Sequence, residues 1–381
     1  MRHITRQSLS VLAAAFAVSL AATAARADLT PIEESVRIGG TDRYAVAVGV
    51  SAYIAEAPQS TVYVVSGEVF PDALSAGPAA YADRSPILLT RRTELPAEAA
   101  DELARLNPER VIAVGGPRTI DTNVLRAIEA ALPEAQVDRI SGIDRYAVAA
   151  RLATARSAQD TVFLTSGLVF PDALSAGPAA ASREGSILLS TSSALPESTK
   201  EALRTVAPRR VFAVGGPATI STDVLREVES VLPGAQVDRI SGADRYAVST
   251  NVAQTFWSSG ANSAFLASGE KFPDALAGTP AAGINNAPIL LTQASCHPYN
   301  TRLGIDSVDP AYRIVLGGEL SAYSGSTTCG PKPSYPFGED MDCHDFASQR
   351  AAQEWFDYWN PKVGDVFRLD SDDDGKVCEV W

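Results

Sequence analysis

The sequence predicts an α/β fold, with three tandem α/β units that have mostly parallel sheets and a small disulfide-tied module after them. Two observations support this prediction. Several signatures recur three times in the same order, and short apolar segments alternate with segments of helical periodicity. Buried parallel strands are apolar on both faces, and strand–helix alternation is the usual pattern of sheets covered by helices.

The internal repeat has the length of a domain. Asp-Arg-Tyr, Phe-Pro-Asp-Ala-Leu and Gly-Gly each occur three times, at 42–44, 144–146 and 244–246, at 70–74, 170–174 and 272–276, and at 115–116, 215–216 and 317–318. This period is too long for a solenoid repeat, so each copy is expected to fold as one unit. The predicted units are residues 28–138, 139–238 and 239–331.

The first unit shows the predicted elements in order. Strands are expected at 36–38, 61–65, 87–89 and 111–114, and helices at 42–56, from 71, from 96 and at 122–132. Asp42 suits a helix N-cap, while Pro71 and Pro96 suit a first helical position. The third unit differs, because neither an Ala- and Leu-rich helix nor a Val-Asp-Arg-Ile strand follows Gly317-Gly318.

The first residues have the pattern of a signal peptide. Arg2 and Arg6 precede an apolar run at 9–22, and Ala25-Arg26-Ala27 fits a cleavage site. We expect residues 1–27 to be removed and the protein to be secreted without a transmembrane segment; an uncleaved anchor is the alternative. Cleavage would take the formal net charge from −13 to −16, since it removes three arginines. Such acidity argues against nucleic-acid binding.

The four cysteines are expected to form disulfides, as even numbers of cysteines do in exported proteins. Cys296 is paired with Cys329, and Cys343 with Cys378, because each pair lies within one segment. Two other pairings remain open. The first pair would tie the shortened edge of the third unit.

The candidate binding residues lie in two of the repeated motifs. They are Arg43, Arg145 and Arg245 of Asp-Arg-Tyr, and Ser66, Gly67, Ser166, Gly167, Ser268 and Gly269 before the Phe-Pro-Asp motif. Loops at the carboxyl ends of parallel strands bind ligands, and arginine forks suit phosphate or carboxylate. The alternative is structural: a strand-to-helix junction with Asp as N-cap and Arg and Tyr packed on a neighbouring unit.

These repeated motifs, with Pro-Ile-Leu-Leu-Thr and Val-Gly-Gly, resemble the type 2 cell-wall-binding repeat over residues 36–321. The resemblance implies noncovalent attachment to a Gram-positive wall through an anionic polymer or peptidoglycan. It also implies three units around a pseudo-threefold axis. The sequence departs from the repeat at Ser186-Ile187, and at Ala277-Gly278-Thr279-Pro280 in place of Ser-Ala-Gly-Pro.

The C-terminal segment is acidic and contains a candidate calcium loop. A linker at 332–337 precedes residues 338–381, where Asp370, Asp372, Asp374 and Gly375 match the first half of an EF-hand loop. Lys376 would supply a backbone carbonyl at the seventh position. The segment resembles the excalibur module, in which Glu379 is the expected acid. That resemblance implies Ca²⁺ as the cofactor.

The residues needed for common hydrolytic mechanisms are scarce. Beyond the signal peptide the histidines are His297 and His344, and no zinc-peptidase or nucleophile-elbow motif occurs. We therefore expect a protein without catalytic activity. The alternative is a cell-wall hydrolase, amidase-like, or the activator of one. The sequence leaves the oligomeric state open.

Overall fold

The computed structural model describes residues 35–156 and 159–329. The strands are β1 (Ser35–Ile38), β2 (Thr61–Ser66), β3 (Ile87–Thr90), β4 (Arg110–Val114), β5 (Gln136–Ile140), β6 (Thr161–Ser166), β7 (Ser186–Ser190), β8 (Arg210–Val214), β9 (Gln236–Ile240), β10 (Ser263–Ser268), β11 (Ile289–Thr292) and β12 (Tyr312–Leu316). The helices are α1 (Arg43–Ile54), α2 (Ala76–Ala82), α3 (Ala97–Leu106), α4 (Thr122–Ala131), α5 (Arg145–Thr154), α6 (Pro171–Ser182), α7 (Glu197–Val206), α8 (Thr222–Val231), α9 (Arg245–Phe256), α10 (Pro273–Ile284) and α11 (Tyr299–Val308). The predicted signal peptide, linker, calcium loop and disulfide Cys343–Cys378 lie outside the described residues.

The strands form three four-stranded parallel sheets, which confirms the predicted fold class. Their orders are β3-β2-β4-β5, β7-β6-β8-β9 and β11-β10-β12-β1. In the first two sheets the last strand leads directly into the Asp-Arg-Tyr helix of the next unit. Each sheet therefore ends on a strand that connects it to its neighbour.

The third sheet is completed by the first strand of the described chain. β1 pairs in parallel with β12, with Ser35 opposite Arg313 and Ile38 opposite Leu316. The sequence places this strand in the first unit and predicts no closing strand for the third, and the pairing of β1 with β12 corrects both expectations. The exchange follows from the sequence of β1, whose final Arg-Ile matches the last two residues of β5 and β9. The three units consequently form a closed ring.

Side chains of the central strands alternate between two apolar layers. In β2, Val62 and Val64 contact the outer layer, which includes Leu103 and Ile128 of helices α3 and α4. Tyr63 and Val65 of the same strand face the inner core. This inner core contains buried residues from all three units, so burial on both faces accounts for the apolar strands.

A pseudo-threefold axis passes through the centre, where helices α2, α6 and α10 pack against one another. Phe70 lies 5.6 Å from both Phe170 and Phe272, measured between ring centroids. Phe170 and Phe272 are 5.9 Å apart. The three phenylalanines of the Phe-Pro-Asp motif thus form one aromatic cluster on this axis.

The repeated aspartates of Asp-Arg-Tyr are helix N-caps, as the sequence predicts. Asp42 accepts hydrogen bonds from the backbone N–H of Tyr44 and Ala45, and Asp144 and Asp244 cap α5 and α9 similarly. The prediction that Pro71 opens a helix is wrong for the first unit, whose helix begins at Ala76. Residues 71–75 form tighter turns, with the N–H of Ala73 bonded to the carbonyl of Phe70.

The predicted bond between Cys296 and Cys329 is confirmed. Beside it, His297 is fully buried, and its Nε2 donates to the carbonyl of Gly325 at 2.9 Å. Nδ1 lies 2.8 Å from the hydroxyl of Thr292. Burial lowers the pKa of His297 to about 4, so the ring is neutral and serves the local structure. Within the described residues, no helix combines the length and apolarity needed to cross a bilayer.

Candidate functional site

The two motifs that contain the candidate binding residues meet at the carboxyl edge of each sheet. Nη1 of Arg43 donates to the carbonyl of Gly67, and Nη1 of Arg145 donates to that of Gly167. Arg245 makes the same bond to Gly269 at 2.5 Å. Each arginine therefore holds the loop of its own unit, which the sequence alone did not predict.

The serines and glycines of these loops are packed inside. Ser66 is 1% exposed, and its hydroxyl accepts the N–H groups of Glu68 and Val69. Ser166 and Ser268 make equivalent turns. A Cβ on Gly67, Gly167 or Gly269 would lie 2.8, 2.7 or 2.6 Å from the tyrosine ring of the Asp-Arg-Tyr motif. These residues thus build the loop and position its exposed tip.

The aspartates of the Phe-Pro-Asp motif connect this loop to the Gly-Gly turn. Asp72 accepts a hydrogen bond of 2.9 Å from Thr119, and Asp172 one of 3.4 Å from Thr219. The first glycine of each Gly-Gly pair has a positive φ and leaves room for the carboxylate. A side chain at Gly317, for example, would place its Cβ 2.3 Å from Asp274.

Burial changes the ionisation of two of these aspartates. It raises the pKa of Asp172 to about 6, against the opposing effects of the Thr219 hydrogen bond and the Arg245 charge. It also raises the pKa of Asp274, against Ser321, Arg43 and Lys271. Arg245 and Arg43 act here on aspartates of neighbouring units, so the charges of adjacent units interact around the axis.

A second set of repeated arginines escaped the sequence analysis. Arg37 donates to the carbonyls of Gly317, Gly318 and Ala322 at 2.8–3.0 Å. Arg139 donates to Gly115 and Ile120, and Arg239 to Gly215. Their recurrence in an Arg-Ile pair shortly before each Asp-Arg-Tyr motif is a usable sequence signal. They hold the Gly-Gly turns and complete the same edge of each sheet.

Exposed loop tips and charged side chains surround the aromatic cluster at this edge. The tips are residues 68–69, 168–169 and 270–271, with Val69 45% and Val169 40% exposed. Arg245 is exposed, and its guanidinium lies 6.0 Å from the ring centroid of Phe170. An anionic chain lying across these tips would meet arginines of more than one unit. Binding by the candidate residues stays a prediction.

This geometry defines a class of protein, a ring of three α/β units that repeat one loop arrangement about an axis. The model of the family described as "Cell wall binding domain 2 (CWB2)" matches residues 37–125, 139–225 and 239–324. These matches cover well over half of the chain. The chain belongs to this family and contains three cell-wall-binding repeats.

Two curated relatives come from Bacillus subtilis (strain 168). The chain is 28% identical to N-acetylmuramoyl-L-alanine amidase LytC over 281 residues, which are 74% of this chain and 55% of the amidase. It is 28% identical to "Amidase enhancer" over 262 residues, 69% of this chain and 35% of that protein. The chain thus spans about half of the first relative and a third of the second.

Two solved structures have the same fold. Cwp6 from Clostridium difficile superposes with a TM-score of 0.71 at 24% identity, covering 75% of this chain and 46% of Cwp6. Cwp8 from the same organism gives 0.70 at 21% identity, covering 80% of this chain and 52% of Cwp8. Both confirm three α/β units with parallel sheets.

Proposed function

We propose that the protein is a secreted, noncatalytic surface protein that its three repeats anchor to the cell wall by binding an anionic polymer. The observation that carries this proposal is the threefold repetition of one loop arrangement at a single edge of the ring. Each copy presents an exposed tip beside an arginine, namely Arg43, Arg145 or Arg245. A polymer with repeating charges can contact several such tips at once, which raises its apparent affinity.

The net charge of −13 opposes this attraction at long range. Local positive charge at the loop tips would have to overcome that repulsion. We propose that calcium held by Asp370, Asp372, Asp374, Lys376 and Glu379 of the C-terminal segment helps to bridge the polymer. This proposal rests on the sequence pattern alone. Titration calorimetry should then give a dissociation constant of about 10⁻⁴–10⁻³ M, lost on changing the three aspartates to asparagine.

Retention on purified sacculi tests the anchoring proposal. Wild-type protein should sediment with intact sacculi and remain in solution once acid has extracted the anionic polymers. Chelation should weaken this retention at low and moderate salt if calcium forms part of the bridge. Absence of retention on intact sacculi, with or without calcium, would refute the anchoring proposal.

The loop tips can be tested without disturbing the Arg–Gly bonds. The triple variant Val69→Asp, Val169→Asp and Lys271→Gln lowers the net charge of the exposed tips by three. The matched control Asn123→Asp, Thr205→Asp and Gln254→Asp adds the same charge at exposed helical positions. Retention should fall for the first variant and persist for the control. Equal retention would place the binding surface elsewhere.

The likeness to an amidase and to an amidase enhancer supports a second candidate, a wall hydrolase or an activator of one. Release of muropeptides by the purified protein would indicate catalysis. Loss of this release in the variant Asp72→Asn, Asp172→Asn and Asp274→Asn would assign it to the repeats. Release only when an amidase is added would indicate activation.

A further inference from the structure

One cleft in the ring lies far from the repeated loops. It has a volume of about 570 Å³ and is formed at the amino ends of β6, β8 and β9, against the last turn of α9. Its lining combines three arginines with two acids and two aromatic residues, namely Arg183, Arg209, Arg210, Asp160, Asp238, Phe212 and Phe256. The cleft therefore lies between the second and third units, at the edge of the sheet opposite to the loop tips.

The cleft has a rigid apolar wall. The rings of Phe212 and Phe256 meet edge to face at 5.0 Å, and both contact Phe163 behind them. The guanidinium of Arg183 lies 5.4 Å from the ring centroid of Phe256. Stacking on an aromatic ring fixes the guanidinium plane and leaves most of its N–H groups for other acceptors.

The ion pairing of Arg210 can be compared with that of the equivalent arginine in the first unit. The equivalent Arg110 is paired with Asp138, with 2.5 Å between Nε and Oδ2. Asp238 is also present in the second unit and accepts from Gln236, yet the guanidinium of Arg210 forms no ion pair or hydrogen bond with the residues of 35–156 and 159–329. Its charge is thus available at the cleft, where that of Arg110 is neutralised.

The third arginine adds charge at the rim. Arg209 approaches Asp160 at 3.6 Å, but both side chains are largely exposed, so the pair is weak and exchangeable. The concentration of arginines is specific to this unit. The first unit has Asp83, Glu109 and Arg110 at the equivalent positions, and the third has Asn285, Ala311 and Tyr312.

We propose that this cleft is a second binding site, for an acidic saccharide. Its anionic group would be held by Arg183 and Arg210, and the C–H face of the sugar would pack on the phenylalanine wall. Bidentate arginine contacts suit both carboxylate and phosphate, so the anion can be a uronate or a phosphodiester. This assignment rests on the proposed wall-polymer function for its ligand class and differs from it in location.

Calorimetry with defined polymers tests the cleft. The probes are polygalacturonate for the carboxylate and polyphosphate for the phosphate, with dextran as the neutral comparison. The full chain should bind at least one charged probe at low salt and should not bind dextran. The variant Arg183→Gln/Arg210→Gln should lower that affinity at least tenfold. The charge-matched control Arg110→Gln/Arg126→Gln should stay within twofold of wild type.

A second variant distinguishes a specific loss of binding from a loss caused by local misfolding. Thr255 lines the cleft and is exposed, so Thr255→Asp places an acid there while keeping every arginine. It should lower the affinity for the charged probe at least threefold without changing the melting temperature. Wild-type affinity in both cleft variants, or no affinity of wild type for either charged probe, would overturn the assignment. Retention on sacculi tests the anchoring proposal separately. If the cleft binds its probe but sacculi do not retain the protein, only the anchoring proposal is refuted.

Discussion

Residues at the axis explain why the third repeat departs from the other two. Gly77 and Gly177 both face Thr279, and a Cβ on either would lie within 2.7 Å of a Thr279 atom. The centre has room for one side chain of this size, so one repeat has Thr where the others have Gly. Tyr81 similarly fills the space left by Ala181 and Gly283. The departure from Ser-Ala-Gly-Pro is thus accounted for by packing.

This asymmetry gives a prediction with an internal control. Gly177→Ala should destabilise the protein by about 1–3 kcal/mol, because its Cβ would lie 2.7 Å from Oγ1 and 3.0 Å from Cγ2 of Thr279. Adding Thr279→Ala removes both atoms and should restore stability. Gly77→Ala should not be rescued, since its Cβ would still be 2.7 Å from Cβ of Thr279. Denaturant unfolding measures all four variants; rescue of both glycine variants would contradict this packing.

The raised pKa of Asp172 predicts that the wild type and the variant Asp172→Asn differ in how their stability depends on pH. Its pKa rises from 3.8 to about 6 on folding, so its ionised form destabilises the folded state by at most roughly 3 kcal/mol. Stability from this group is present below pH 4 and is lost as the pH rises through 6. Asp172→Asn should melt higher than wild type at pH 7.5 and lose this advantage by pH 4. A wild type that melts higher at pH 7.5 would show that Arg245 outweighs burial.

Among the elements, β1 is the strand that closes the ring of units. Its four residues complete a sheet whose other three strands come from the third unit, near the other end of the described chain. Arg37 reinforces the pairing through three carbonyls, whereas Arg139 has two carbonyl partners and Arg239 has one. The closing strand of the third unit is therefore the one most strongly tied to its Gly-Gly turn.

The three equivalent arginines should differ in their contribution to stability. Changing each to alanine removes different numbers of charge-assisted bonds, which contribute about 1.5–3 kcal/mol each when measured singly. The loss of unfolding free energy should follow the order Arg37→Ala, Arg139→Ala, Arg239→Ala, with the first costing at least about 2 kcal/mol. Urea unfolding at constant m-value checks the order. A reversed order would mean that β1 is held mainly by its strand pairing.

The sequence predicts the helices and strands well, but it predicts less well which strands pair and which distant residues are in contact. The strand predicted at 111–114 is β4, Arg110–Val114, and the helix predicted at 122–132 is α4, Thr122–Ala131. Apolar runs, N-caps and turn residues are local signals. By contrast, the pairing of β1 with β12 and the inward bonds of Arg43 depend on residues distant in the chain. Sequence periodicity contains no information on which of two similar strands closes a given sheet.

The same limit applies to the candidate site. Repetition singled out the Asp-Arg-Tyr and Ser-Gly motifs separately, and the structure brings them into contact. Repetition could not show that Ser66 is buried within the loop. It also could not reveal the cleft of Arg183 and Arg210, because Arg183 is replaced by Asp83 and Asn285 in the other repeats and Arg210 by Tyr312 in the third.

At the scale of the whole molecule, the shared inner core predicts cooperative unfolding. Buried residues from all three units belong to one cluster, which includes Tyr63, Phe163 and Phe265. Amides of β2, β6 and β10 should therefore exchange hydrogen with opening free energies within about 1 kcal/mol of one another. Residues 139–238 alone should remain unfolded. Exchange in which one sheet opens well before the others would show that the units are independent.

Ring closure by β1 also constrains the order of folding during synthesis. Arg37 and Gly317 are 280 residues apart in sequence, so β1 leaves the ribosome well before its partner β12. Folding dominated by such distant pairings is slow. The ring cannot be completed one unit at a time, and a nascent chain keeps an open sheet until β12 has emerged. If the protein is exported as proposed, a chain whose ring stays open until β12 emerges can reach a translocation channel before it has folded.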